Sequence, residues 1–273
     1  MLMAAQIAVV ALLAGAYALR ARRLAREGQP VPGASLLLCA AAGFVALLAS
    51  MLILRQPGKE LLTWRTLERL LVGDLACLLI AIGLTDAMLA PLARTPLRRL
   101  RVLARAPVAL ALWIANLLVW QWPSIFDATL RHDSLTLVMD VASIAVGLNM
   151  WRAVLSALAA AHPHTSHRDR VAYTLIGRLV GVALASVAIW SPDVYYPYFM
   201  RADAASSVSP LADQGIAGAI MLAEMALVAI GLLLWMSARL RAQAPATTPA
   251  HPAQAAEPAH AAAGALAVDP QQA

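Results

Sequence analysis

Six ionisable residues stand inside long apolar stretches of this chain: Asp74, Asp86, Asp140, Arg152, Arg178 and Glu224. A charge at such a place is expensive, so it faces a partner or a wet cavity. By depth along their stretches, Asp86 and Arg178 could pair. Glu224 falls about ten residues into the last apolar stretch and is the leading candidate for a functional carboxylate. A protonated, hydrogen-bonded structural role is its simpler reading, because a proton relay needs several aligned groups and none is evident. Met139, Met221 and Met225 supply thioethers, which suit Cu(I). Gap-filling in apolar packing is the stronger reading of these methionines. His162, His164 and His167 read as a solvated loop, since Pro163 breaks the spacing that would align the imidazoles. Cys39 and Cys77 form no CxxC pair and read as small buried hydrophobes.

The elements that carry these residues follow from composition. Of the 273 residues, 61% are hydrophobic and only 13% charged. Apolar runs of roughly twenty residues match the ~30 Å hydrocarbon core of a bilayer. The fold class expected is all-α, a polytopic seven-helix membrane bundle. Its helices fall near Leu2–Leu19, Ala34–Leu54, Leu70–Leu92, Pro107–Trp122, Leu135–Ala160, Val171–Trp190 and Gln214–Met236. The net charge of +6 does not indicate nucleic acid, because the basic residues gather at helix ends. Thirteen Lys and Arg fall in alternate segments assigned to the cytoplasm and six in the others, which orients the N-terminus outside and the C-terminus inside. The first segment, MLMAAQ, has no positive charge and is followed by Arg20, Arg22, Arg23 and Arg26, as in an uncleaved helix. Residues 1–241 form the membrane domain. The Ala/Pro-rich stretch 242–273 reads as a disordered cytoplasmic tail.

Two stretches carry more pattern than hydropathy. Tyr195, Tyr196, Pro197, Tyr198 and Phe199 put interfacial rings on a proline-punctuated loop. Ser209-Pro210 then opens the last helix, with Asp213 in its first turn, where the helix dipole favours a carboxylate. Gln214, Gly218, Met221 and Met225 share one face of that helix, and Gly218 permits close approach of a neighbour. Asp213 and Gln214 can cap and bridge helices, or belong to a docking surface, or both. The other stretch is Trp120 to His132, WQWPSIFDATLRH, with Trp120, Pro123 and Asp127 as its fixed points.

The tyrosine-proline loop followed by "SPLxDQxxxGxIM", the "WHxPxxYDxxLxH"-like run and the Ala90-Pro91 echo of an "APP" resemble the CtaG family of bacterial membrane proteins implicated in assembling haem-copper cytochrome c oxidases. The likeness runs over about residues 70–236. It implies an assembly or accessory role in the bacterial plasma membrane without enzymatic chemistry, an oxidase subunit or another maturation factor as partner, and copper as a possible ligand. The family's histidine positions fall here on Leu79, Gly83, Gln121, Thr136, Met139 and Asp140, and only His132 keeps an imidazole, near the external surface. An imidazole copper site is therefore not expected. Met139, Asp140, Met221, Met225 and His132 remain as weak metal candidates. The other classes open at this point are a transporter or channel for a metal ion or small solute, with Glu224 and Asp140 on its pathway, and a structural paralogue without metal handling.

Overall fold

The computed structural model describes residues 1–54, 61–91, 102–158, 167–202 and 208–243, and among these there is no strand. The helices are α1 (Leu2–Arg26), α2 (Ala34–Ile53), α3 (Leu62–Leu70), α4 (Ala76–Gly83), α5 (Asp86–Leu89), α6 (Ala106–Gln121), α7 (Pro123–Arg131), α8 (Asp133–Leu158), α9 (His167–Trp190), α10 (Pro197–Ala202) and α11 (Pro210–Gln243). A π-helical segment, Leu71–Leu75, joins α3 to α4. Four helices, α1, α2, α8 and α11, are long and apolar enough to cross a membrane. A fifth crossing results if α6 and α7, bent by 70° at Trp122, count as one broken span. Apolar helices of this kind, with every interior amide bonded within its own segment, make a multi-pass membrane protein.

Several boundaries depart from the hydropathy reading, each for a local reason. Helix α1 runs on to Arg26 rather than ending at Leu19, and Leu24 in the added turn is fully buried. It stops where Gly28 adopts φ +63°, with Gln29 N–H donating to the Leu24 carbonyl and Gly28 N–H to that of Ala25. That pair of bonds is a Schellman motif, and the positive φ is why glycine stands there. The helix expected at Leu70–Leu92 begins at Leu62 and breaks at Leu84-Thr85. Side chains satisfy the carbonyls freed at the break. Tyr17 donates to Gly83 at 2.9 Å, Arg152 to Leu84 at 2.6 Å, and Arg20 to Ala87 at 2.8 Å. The Trp120–His132 run is not a simple helix end. Pro123 starts the separate helix α7, as proline does at a first helical position. Residues 242 and 243 continue α11, and the rest of the tail expected at 242–273 lies outside the described residues, as do His162 and His164.

In the bundle α2 packs on α4, and α8 packs on both α4 and α6. Glycine sets two of these approaches. A Cβ on Gly43 would lie 2.6 Å from Ile80 Cγ1 and 2.8 Å from the Ala76 carbonyl oxygen. One on Gly147 would overlap the Gly73 carbonyl oxygen, so α8 lies directly against the π-helical segment. Small residues permit this kind of backbone approach where no aqueous hydrophobic effect drives helices together. Gly147→Ala is expected to destabilise the protein by about 1–3 kcal/mol through overpacking. Gly215→Ala, where a Cβ meets nothing within 4 Å, is the matched control and should be neutral. Thermal unfolding of the two variants in detergent checks the contrast.

Candidate functional site

The buried charges gather into two groups. In the first, Arg178, midway along α9, bonds Asp74 on the π-helical segment, with Nη1 2.5 Å from Oδ2 and Nη2 3.3 Å from Oδ1. The same Nη1 lies 3.6 Å from Glu224 Oε1 on α11. The guanidinium sits 5.6 Å from the ring centre of Trp113 and 5.0 Å from that of Trp151, and Trp151 donates its indole N–H to the Asp74 carbonyl at 3.0 Å. The extra residue per turn in a π-helix breaks the regular backbone ladder and redirects side chains, and such turns recur at functional positions. All three charged residues are buried. The pairing expected between Asp86 and Arg178 does not form. Arg178 lies deeper than expected because α9 begins at His167 rather than Val171. Asp86 lies beyond the break that ends α4, with its carboxylate 98% exposed and 2.8 Å from Arg152.

The second group lies around Arg69. Its guanidinium donates to Gln121 Oε1 at 3.2 Å and lies 4.7 Å from the Phe126 ring centre. Arg65 pairs with buried Glu68 one turn away at 3.3 Å. Asp140 accepts a 2.6 Å bond from Gln6 of α1. A polar cavity of about 170 Å³ between Arg65, Glu68, Asp133, Thr136 and Met139 opens beside this group.

The tyrosine-proline loop and the start of α11 are joined to both groups. Asp213 is 1% exposed, and its carboxylate accepts the Leu62 and Thr63 amides at 2.5 and 3.1 Å and the Thr63 hydroxyl at 2.5 Å. It therefore caps α3, a helix 150 residues away in sequence, while at the start of its own helix the Ser209 hydroxyl accepts the Ala212 amide. A carboxylate at a helix N-terminus satisfies free amides and faces the positive end of the dipole. Gln214 is fully buried and accepts the Tyr195 amide at 2.9 Å while donating to the Ala188 and Asp193 carbonyls at 3.3 and 3.1 Å. The Tyr196 hydroxyl lies 3.0 Å from the Gln121 carbonyl and 3.2 Å from its Oε1. Burial pushes the Tyr196 phenol up, with Asp127 adding to the rise and Arg69 opposing it, so it remains a hydrogen-bond donor. Phe126, Tyr196, Tyr198 and Phe199 pack as an aromatic cluster beneath Pro197, which opens α10. Gly218 lets α11 lie against α9, since a Cβ there would be 2.9 Å from the Ala185 carbonyl oxygen.

The remaining expected site residues fall as follows. Trp120 donates to Asn116 on its own helix at 2.9 Å, and Asp127 is buried on α7 with Oδ1 lacking a hydrogen-bond partner. His132 is an exposed joint between α7 and α8. The metal candidates do not converge. Met139 lines the polar cavity near Arg65, whereas Met221 accepts from the Gln121 amide at 3.7 Å and Met225 from Arg178 at 3.4 Å. A resident guanidinium at Met225 opposes a metal cation on that sulfur. Among the described residues no three His, Cys, Asp or Glu are grouped as a metal site. Gln121, Arg69 and Gln6 are central here and were not singled out by sequence as site residues. Gln6 carried a signal, as the lone polar residue near the start of an apolar helix.

The fold is a multi-pass helical bundle in which Arg178 faces two buried carboxyl groups, and Asp213 and Gln214 of α11 bond the start of α3 and the tyrosine-proline loop. The chain matches the family model Caa3_CtaG, described as cytochrome c oxidase caa3 assembly factor, over residues 15–243. It belongs to that family, which gives it a role in cytochrome c oxidase assembly. No curated protein and no solved structure matches it.

Two outcomes follow from the geometry. Asp213→Ala should cost about 1.5–3 kcal/mol, the range for hydrogen bonds to a charged group. Thermal unfolding read together with protease cleavage near Leu61 should show α3 loosening first. Arg178→Leu leaves two buried carboxyl groups uncompensated and should lose about 3–5 kcal/mol or fail to accumulate. The paired change Asp74→Leu with Arg178→Leu should recover much of that loss, as measured by a double-mutant cycle.

Proposed function

We propose that this protein is a non-enzymatic scaffold for haem-copper oxidase assembly in the bacterial plasma membrane, with seven crossings, the N-terminus outside and the C-terminus cytoplasmic. The crossings are α1, α2, the continuous helical run from Leu62 to Gly83, α6, α8, α9 and α11. The distribution of thirteen Lys and Arg against six supports that orientation. Residues 1–241 form the membrane domain, and the chain beyond Gln243 lies on the cytoplasmic side. The tyrosine-proline loop and the first turns of α7 and α11 form the external surface that docks an oxidase subunit or another maturation factor. The observation that carries this reading is the Asp213–Leu62/Thr63 joint together with the Gln214–Tyr195 bond, which hold the loop and the ends of α3 and α11 in one arrangement. Such fixed loops present a surface without an ordering cost on binding. The thioethers engaged by Gln121 and Arg178 favour a scaffold over a copper carrier.

Oxidase activity and haem spectra in membranes of a deletion strain, with and without added copper, test the reading. Loss of oxidase that copper does not restore is the expected result. Restoration by copper would place the protein in copper supply instead, and unchanged oxidase would remove the assembly role. A reporter fused after Arg241 should be active only as a cytoplasmic fusion.

A further inference from the structure

A cavity of about 380 Å³ lies among α3, α6, α9, α11 and the tyrosine-proline loop, within the size range of small-ligand pockets. Its two amide side chains are engaged elsewhere. Gln214 bonds the Tyr195 amide and two carbonyls, and Gln121 bonds Arg69, Met221 and Tyr196. Beside the Thr66 hydroxyl, what remains facing the space is mostly apolar: Leu118, Leu184, Val187, Ala217 and Met221. Two of these, Leu118 on α6 and Val187 on α9, are 45% and 52% exposed, so the cavity is open between two apolar helices, the side that meets lipid in a membrane. At its rim stand Trp122, 64% exposed, and Tyr195, 38% exposed, ring types that settle at the boundary between hydrocarbon and headgroups.

We propose that this cavity is a lipid site that takes one acyl chain of a phospholipid, entering between α6 and α9 with its headgroup at the level of Trp122 and Tyr195. With the amides engaged, only the Thr66 hydroxyl and the Tyr195 hydroxyl at the rim face a polar ligand, against a wall that is otherwise apolar. An apolar cavity stays dry, and its unfilled walls forgo dispersion contacts that a hydrocarbon chain restores. The open side meets the medium that consists of such chains. The site is independent of the oxidase reading, because it rests on wall chemistry and exposure alone. A bound chain would hold α6 and α9 at fixed separation beneath the loop.

Photolabelling tests it. The full chain is reconstituted in phosphatidylcholine vesicles containing a phosphatidylcholine with a diazirine on one acyl chain, irradiated, and mapped by mass spectrometry. Label is expected on Leu184, Ala217 or Met221, inside the cavity, in addition to exposed lipid-facing positions such as Leu12 of α1. Leu118→Trp and Val187→Trp narrow the opening from opposite sides and should remove the cavity label while leaving that on Leu12. Leu118→Ala with Val187→Ala widens it and should keep the label, which guards against misfolding of the tryptophan variants. Absence of cavity label in the unaltered protein, or cavity label that persists in both tryptophan variants, would overturn the proposal.

Discussion

The structure depends on how one guanidinium is neutralised inside a helical bundle. Arg178 stands halfway along α9, where an isolated charge is not tolerated, and it meets Asp74 and Glu224 from two other elements. The two indole faces and the Met225 sulfur complete its surroundings. Because Asp74 belongs to the π-helical segment, the ion group and the backbone irregularity are one feature. Gly147 presses α8 onto that same segment, and the Trp151 N–H of α8 bonds the Asp74 carbonyl. Helices α6, α8, α9 and α11 and the segment are thus held in register by contacts within a few ångströms of Arg178.

From there the order propagates to the loop end along α11. Met225, Met221 and Gln214 lie on one face of that helix and touch, in turn, Arg178, Gln121 and the Tyr195 amide. Asp213, at the next position, fixes α3, whose continuation carries Asp74. The loop end and the ion group are therefore two ends of one pair of helices. In the scaffold reading proposed above, this linkage serves to hold the docking surface in one shape.

Much of this was legible in the sequence. The apolar runs announced the helices, Ser209-Pro210 announced the start of α11, and Asp213 and Gln214 announced themselves as polar residues at a helix entry. Their partners were not legible, because Leu62 and Thr63 contribute backbone amides that any residue would offer. The ion group was half legible: Asp74, Arg178 and Glu224 each stood out. Their pairing could not be read, because it turned on depth, and α9 begins four residues earlier than its apolar run. The π-helical segment carried no signature in LVGDL. The 70° bend at Trp122-Pro123 was visible only as a proline, which opens helices as readily as it ends them. Gln121 occupied a position that the family resemblance gives to histidine, and only the structure shows it joining Arg69, Tyr196 and Met221.

The proposed docking of the loop end on the oxidase is tested most directly by a photoreactive amino acid at Met200, 55% exposed beside the aromatic cluster, in membranes of cells assembling oxidase. A crosslinked adduct with an oxidase subunit or a maturation factor is expected from Met200 and none from Leu12 on α1. Adducts with oxidase components from Leu12 and none from Met200 would contradict it.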